Sequence, residues 1–141
     1  MFTEEIQLED HLVRIRMPDW QDLLNLIPVL EEKESYGRWS GEEQQPYLIP
    51  SEEVRQFQKL VYDLGLVVVY DWSRWEKGHT AWRLKAYDFN NMDVPELCKM
   101  ITLLVRADRF TEGFLVEAFE RRVVLRILLA LRQKVPYERP L

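Results

Sequence analysis

The charged segment VRADRFTEGF, residues 105–114, contains the residue types that could carry chemistry. Arg106, Asp108, Arg109 and Glu112 lie within seven residues, between the apolar runs ITLLV and FLVEAF. Two arginines beside a carboxylate can form a fork that binds an anion such as phosphate. The same four charges can instead form a network that fixes the angle between two helices. The sequence leaves both interpretations open.

The spacing within this segment predicts a junction between helices. Arg106 and Arg109 are three residues apart and can share one helix face. Asp108 falls where a helix ends, an unfavourable place for an anion, so we expect it to cap the next helix or to pair with an arginine. Glu112 lies near the next helix start, and its removal from a buried network would cost about 3–5 kcal/mol. Phe110 is expected to plug the space between the two helices.

The aromatic segment YDWSRW is a second candidate site. Trp72 and Trp75, with Trp39 and Trp82, could line a surface on which a base or another planar ligand stacks, although aromatic residues after an apolar run are more often part of a core. Asp71 could form an acid pair for hydrolysis with Asp108 or Glu112. The candidate residues for binding, or for a structural hub, are Asp71, Trp72, Trp75, Arg106, Asp108, Arg109 and Glu112.

Other kinds of site find little support in the sequence. His11 and His79 are the two histidines, and neither belongs to a recognisable metal-binding spacing. No G-x-G-x-x-G, G-K-S/T or G-x-S-x-G motif supports nucleotide binding or serine hydrolysis. Cys98 lies beside the apolar stripe of a predicted helix, where a thiol is usually inert. We therefore predict no metal, no cofactor and no catalytic residue.

Composition favours one soluble domain. A chain of 141 residues, 47% of them hydrophobic, predicts a single globular domain over residues 1–141. The single cysteine excludes an internal disulfide and suits a reducing compartment. The acidic start MFTEEIQLED does not resemble a signal peptide, and no segment approaches the ~20 apolar residues of a membrane span. We expect a cytoplasmic protein that does not enter a membrane.

Charge is distributed unevenly along the chain. The first sixty residues carry a net charge of −7, whereas the last twenty-one carry +5. Such a basic tail can bind nucleic acid, with an affinity that falls steeply as salt rises. It can equally attract the acidic front of the same chain across the surface. The cations of the tail are Arg121, Arg122, Arg126, Arg132, Lys134 and Arg139.

Apolar residues recur at helical spacing along most of the chain, which predicts a mainly α, compact multi-helix domain. Ser51, and Asp93 with Glu96 three residues later, are typical helix starts. Pro28 is expected to kink or break the first clear helix, and Gly65 to end the second. Three helices are predicted to begin at Asp19, Ser51 and Asp93. Two further helices are predicted over about residues 112–120 and 123–133.

A minor short β element is predicted near residues 66–72. This segment, LVVVYDW, is β-branched and continuously apolar, which is typical of a short buried strand. Residues 80–89 could be its partner or a loop, and His79 is expected in a loop. Residues 36–50 contain several glycines and prolines and are also expected to be a loop. The segments left undecided are residues 1–17 and 76–92.

Two motifs resemble an uncharacterised family of small bacterial proteins. The chain has YDWSRW where that family shows F-D-W-x-x-W, and RADRFTEG where it shows R-x-(D/E)-R-F-x-E-G before a leucine-rich final helix. The resemblance covers roughly residues 50–133. Phe114 stands where many relatives carry histidine, and Arg121 and Arg122 stand where they often carry Ser-Gly. Because that family has no assigned function, the resemblance implies a family and no activity.

These observations favour a small cytosolic module that binds another protein or a second copy of itself and has no catalytic activity. One alternative is a hydrolase or nuclease-like enzyme that uses the carboxylates together with Arg106 and Arg109 on a phosphate. A second alternative is a nucleic-acid binder that uses the basic C-terminal helix. The acidic remainder of the chain would repel a phosphate backbone, which counts against this second alternative.

Overall fold

The computed structural model describes the backbone of residues 2–140 and the side chains of residues 7–140. This part of the chain is mainly α-helical, as predicted, and none of its helices is long and apolar enough to cross a membrane. Two short 3-10 turns lie at Trp72–Arg74 and Phe89–Asn91. The other elements are α1 (Phe2–Leu12), α2 (Met17–Leu24), α3 (Ile27–Glu32), β1 (Gly37–Glu42), β2 (Gln45–Pro50), α4 (Glu52–Asp63), α5 (Glu76–Arg83), α6 (Val94–Ala107), α7 (Phe114–Glu120) and α8 (Val123–Arg132).

Helix α6 lies at the centre of the core. It is buried along most of its length and packs against α1, α5, α7 and α8. Cys98, predicted beside the apolar stripe of this helix, is buried, and so is Thr102, because neighbours cover the helix on several sides. Burial raises the pKa of the Cys98 thiol to about 12, so the thiol stays protonated. The predicted stripe is confirmed at Leu97, Met100, Ile101, Leu104 and Val105.

The helix starts predicted at Ser51 and Asp93 are confirmed, whereas the start predicted at Asp19 lies two residues too late. Asp93 and Glu96 cap α6 reciprocally, and the Glu96 N–H donates to the Asp93 carboxylate at 2.9 Å. Ser51 is the N-cap residue of α4, but its hydroxyl makes no hydrogen bond within the described residues. Helix α2 begins at Met17, and Asp19 lies in its first turn instead of capping it.

The predicted helix ends follow from proline and glycine. The break expected at Pro28 falls before the proline, which stands in the first turn of α3, where its missing N–H costs little. Gly65 follows α4 with a φ of 71°, a left-handed conformation that glycine adopts without strain. The Nε2 atom of His11 lies 2.7 Å from the Leu64 carbonyl oxygen and closes the same helix end.

A β-hairpin occupies residues 37–50, so the loop predicted over residues 36–50 is wrong. Strands β1 and β2 pair in antiparallel register, with Gly37 opposite Pro50 and Glu42 opposite Gln45. Prolines are tolerated here because each strand of a two-stranded sheet has an edge that needs no pairing. The turn residues that suggested a loop therefore belong to the strands themselves.

The β element predicted at residues 66–72 is also wrong, because residues 66–71 run along α6 without joining a sheet. The Val68 N–H donates to the Thr102 hydroxyl oxygen at 2.9 Å. The Tyr70 hydroxyl donates to the Lys99 carbonyl oxygen at 2.6 Å. Helix α6 thus supplies polar partners that a neighbouring strand would otherwise supply.

Helix α5 occupies part of the segment that the sequence left undecided. Residues 80–89 are neither a strand nor a simple loop, because the helix continues to Arg83, and His79 lies inside it. The His79 Nε2 atom lies 3.1 Å from the Trp72 carbonyl oxygen and 3.0 Å from that of Ser73. His79 therefore fastens α5 to the 3-10 turn that carries Trp72.

The Thr102 hydroxyl gives a direct test of how residues 66–71 are held. Thr102→Val keeps the side-chain shape but leaves the Val68 N–H without its partner, so we expect the free energy of unfolding to fall by about 1–3 kcal/mol. Thr102→Ser keeps the hydroxyl and should lose less. Urea unfolding followed by tryptophan fluorescence measures both variants. A Thr102→Val variant as stable as the wild type would contradict this role.

Gly78, in α5, tests whether packing outweighs helix propensity. A Cβ at this position would overlap the ring of Trp75 and approach a methyl group of Leu103 at 2.9 Å. Replacing glycine by alanine in a helix interior usually gains about 0.5–1 kcal/mol, but we expect Gly78→Ala to lose about 1–3 kcal/mol through overpacking. Thermal unfolding measures the loss, which should shrink in a Trp75→Leu background. Stabilisation by Gly78→Ala alone would refute the overlap.

Candidate functional site

Residues 108–113 connect α6 to α7 and form the junction that the sequence singled out. The Asp108 carboxylate accepts a hydrogen bond from the Leu115 N–H, in the first turn of α7, at 3.0 Å. Asp108 therefore caps α7, one of its two expected roles, by satisfying a free N–H at the helix start. Gly113, with a φ of 89°, turns the chain into α7, and a Cβ there would lie 3.1 Å from Leu48.

The four charges of the junction do not form a buried ion-pair network. Arg109 and Glu112 are exposed, and Arg106 and Asp108 are half-buried. None of the ion pairs found among residues 7–140 joins either arginine to either carboxylate. Arg109 instead donates to the Tyr62 hydroxyl at 3.4 Å. The cap formed by Asp108, and not an ion pair, holds the junction.

Phe110 lies at the surface, so the prediction that it plugs the space between two helices is wrong. It is 78% exposed, and its ring centre lies 5.9 Å from that of Trp72. Val69, in the extended segment, is 81% exposed. Neighbouring exposed apolar side chains of this kind mark a contact surface more often than single ones do.

These side chains line a groove of about 310 Å³, here named the junction groove. One wall is the extended segment before the Trp72 turn, and the other is the end of α6 with the start of the junction. Two arginines and no carboxylate line the groove, so its charge is positive. Its lining residues are Val68, Val69, Tyr70, Trp72, Arg106, Arg109 and Phe110.

The structure brings most of the predicted site residues to this region in two groups. Trp72, Arg106 and Arg109 line the junction groove. Asp108, Arg109 and Glu112 line a neighbouring depression of about 490 Å³. Arg109 belongs to both groups, so the arginine pair and the carboxylates face adjoining surfaces.

Asp71 and Trp75 have local structural roles. The Asp71 carboxylate accepts a hydrogen bond from the Ser73 hydroxyl at 2.6 Å and lies 3.5 Å from the Arg74 guanidinium. Trp75 is half-buried and covers Gly78. Within residues 7–140, no group of three or more histidine, cysteine, aspartate and glutamate side chains could hold a metal ion.

Three arginines of the basic tail, Arg121, Arg122 and Arg126, donate to carbonyl oxygens of other elements of the same chain. The Arg121 guanidinium lies 4.1 Å from the centre of the Trp82 ring and donates to the Trp82 carbonyl oxygen. Arg122 donates to the Leu30 carbonyl oxygen near the end of α3, where a cation is favoured. Arg126 donates to two carbonyl oxygens in the loop after α5. These three guanidinium groups are thus committed to carbonyl oxygens of the same chain.

The two ends of the chain attract each other. Arg139 forms an ion pair with Asp10 and lies 3.8 Å from the Glu9 carboxylate. This contact is the one expected if the acidic front and the basic tail are neighbours on the surface.

Sequence reasoning missed Val69 and Phe110 as site residues. Val69 lies in a continuous apolar run, and Phe110 is a large aromatic residue between two helices; residues of both kinds are ordinarily assigned to the core. Their exposure depends on how the extended segment lies on α6, which no local pattern encodes.

Asp108 and Glu112 should differ in their effect on stability. Asp108→Ala removes the cap of α7 and should lower the free energy of unfolding by about 0.5–2 kcal/mol. Glu112→Ala should change it by less than about 0.5 kcal/mol, because the side chain is exposed and joins no described ion pair. Urea unfolding of the two variants measures the difference. If Glu112→Ala lowered the free energy of unfolding by about 3–5 kcal/mol, as expected for a buried network, that result would contradict the exposed arrangement and support the buried network.

Comparison with known protein families gives a match over most of the chain. Residues 15–136 match DUF6508, which is described as a family of unknown function. The matched range contains both walls of the junction groove and the whole junction. Curated proteins and solved structures give no match. The resemblance to an uncharacterised family is thereby confirmed: the chain belongs to DUF6508, a family of unknown function.

Proposed function

We propose that this protein is a non-enzymatic cytoplasmic interaction module. Its junction groove binds an acidic segment of a partner protein, with an aromatic or aliphatic side chain of that segment packed against Val69, Trp72 and Phe110. The observation that carries the proposal is the exposure of Val69 and Phe110 directly beside Arg106 and Arg109.

Apolar burial would supply most of the affinity. Val69 and Phe110 are both more than three-quarters exposed, and covering apolar surface is worth roughly 25 cal/mol per Å². Aromatic and arginine side chains are also the residues that most often dominate binding energies in protein interfaces. The groove combines both kinds, in Trp72, Phe110 and the two arginines.

Charge would supply the selectivity. Arg106 and Arg109 line the groove and no carboxylate does, so a partner carboxylate that enters it meets two cations. The hydrogen bond from Arg109 to the Tyr62 hydroxyl limits the positions of that guanidinium. A basic partner segment would be disfavoured by like charge, which separates acidic from basic sequences.

The walls of the groove are held before a partner arrives. Thr102 fixes Val68, and the Tyr70 hydroxyl is bound to a carbonyl oxygen of α6. His79 fixes the turn of Trp72 from the other side. A surface held in this way loses little conformational entropy on binding, so more of the contact energy appears as affinity.

The enzyme alternative lacks a specific observation in its favour. The Asp108 carboxylate is used as a helix cap, and that of Asp71 is bound within its own turn. Cys98 is buried, and its raised pKa keeps the thiol protonated.

The single cysteine and the absence of a disulfide among the described residues are compatible with the reducing cytoplasm.

A peptide selection tests the proposal even though the partner is unidentified. A phage-displayed library of random peptides is selected on the immobilised wild type and, in parallel, on Arg106→Ser and Phe110→Ser. We expect the wild type to enrich peptides that combine aspartate or glutamate with an aromatic or aliphatic residue, and both variants to lose this enrichment. The affinity of an enriched peptide should fall as salt rises.

Matched controls separate the groove from general effects of charge and folding. Arg14→Ser removes an exposed arginine that does not line the groove and should retain the enrichment. Circular dichroism verifies that each variant is folded. Enrichment of basic peptides, no enrichment at all, or equal enrichment by the Arg106→Ser variant would refute the proposal. Displacement of the peptide by short single-stranded DNA at low concentration would favour the nucleic-acid alternative instead.

A further inference from the structure

The hairpin and α7 enclose a second groove, of about 550 Å³, here named the hairpin groove. Its apolar surface comes from both the strands and the helix. Three glutamates and no cation line it, so its charge is opposite to that of the junction groove. Its lining residues are Gly37, Trp39, Leu48, Thr111, Glu112, Gly113, Phe114, Val116, Glu117 and Glu120.

The base of the hairpin is fixed to the body of the protein. The Tyr36 N–H donates to the Glu120 carboxylate at 2.9 Å, and the Ser51 N–H donates to the Tyr36 carbonyl oxygen at 2.8 Å. The Tyr36 ring is buried, with its centre 5.2 Å from that of Phe119. The hairpin groove is therefore a stable feature, although Trp39, further along the hairpin, is 61% exposed.

The negative charge of the hairpin groove is largely uncompensated within the chain. All three glutamates are exposed, and Glu120 accepts a hydrogen bond from the Tyr36 N–H, unlike Glu112 and Glu117. No ion pair found among residues 7–140 includes either of these two glutamates. An exposed tryptophan beside free carboxylates suits a partner that offers a cation together with an apolar side chain.

The chain itself offers such a pair beside the groove. Arg109 and Phe110 are exposed and adjacent, and they directly precede Thr111 and Glu112, which line the groove. A projection and a depression that are complementary in charge and lie side by side form a self-complementary patch. Two copies related by a two-fold axis can bury such a patch reciprocally, because each projection enters the depression of the other copy.

We infer that a second copy of this chain occupies the hairpin groove. In the resulting symmetric dimer, Phe110 of each copy packs against Trp39 of the other, and Arg109 of each copy faces Glu117 of the other. The dimer goes beyond the proposed function, since it uses a different groove. Because Phe110 and Arg109 also line the junction groove, dimer formation and peptide binding there compete for the same two side chains.

Charge reversal tests the dimer by sedimentation velocity. The wild type is expected to sediment as a dimer, and Arg109→Glu and Glu117→Arg should each raise the dimer dissociation constant by about tenfold or more. An equimolar mixture of the two variants should form dimers again, because both reciprocal contacts then pair opposite charges. Glu52→Arg, a reversal in the first turn of α4 outside the groove, is the matched control and should stay dimeric.

Trp39→Ala separates the dimer from the proposed function. This variant should lose the dimer while it retains the peptide enrichment that depends on Arg106. A wild type that remains monomeric up to its solubility limit would overturn the dimer, as would a mixture of the two reversed variants that stays monomeric. A dimer that survives Trp39→Ala would also overturn it. None of these results decides whether the junction groove binds acidic peptides, because the peptide selection tests that proposal independently.

Discussion

The Thr102 hydroxyl is the contact on which the surface of this protein depends. It accepts a hydrogen bond from the Val68 N–H and donates one to the Cys98 carbonyl oxygen at 2.8 Å. It therefore connects the extended segment, residues 66–71, to the central helix α6. A segment held against one helix can leave one side open, and this openness turns Val69 and Trp72 into the wall of a groove.

The helical part of the fold was predictable because its signals are local. The reciprocal cap of Asp93 and Glu96, the left-handed glycine at position 65 and the apolar stripe of α6 each act within a few residues. The hairpin was not predictable, because its attachment depends on a contact between Tyr36 and Glu120, far apart in sequence. An apolar run such as residues 66–72 has the same composition whether it lies beside a strand or a helix.

The candidate site shows the same division. The role of Asp108 followed from its position at a helix end, which is a local property. The ion pairs, which were the alternative to a cap, are not found among residues 7–140, because charges that are close in sequence can face different directions once a turn intervenes. Arg121 and Arg122 illustrate the converse, since both reach carbonyl oxygens on elements distant in sequence. A cation that satisfies a helix end of its own chain is indistinguishable, in sequence, from one kept for a ligand.

The two-stranded sheet of β1 and β2 affects the tendency of the protein to aggregate. A two-stranded sheet has two open edges, and open edges invite the addition of foreign strands and hence aggregation. Pro46 and Pro50 stand at or near the two ends of β2, where they provide no N–H to a strand that might add there. The prolines thus protect the exposed edge of β2 from the addition of a further strand.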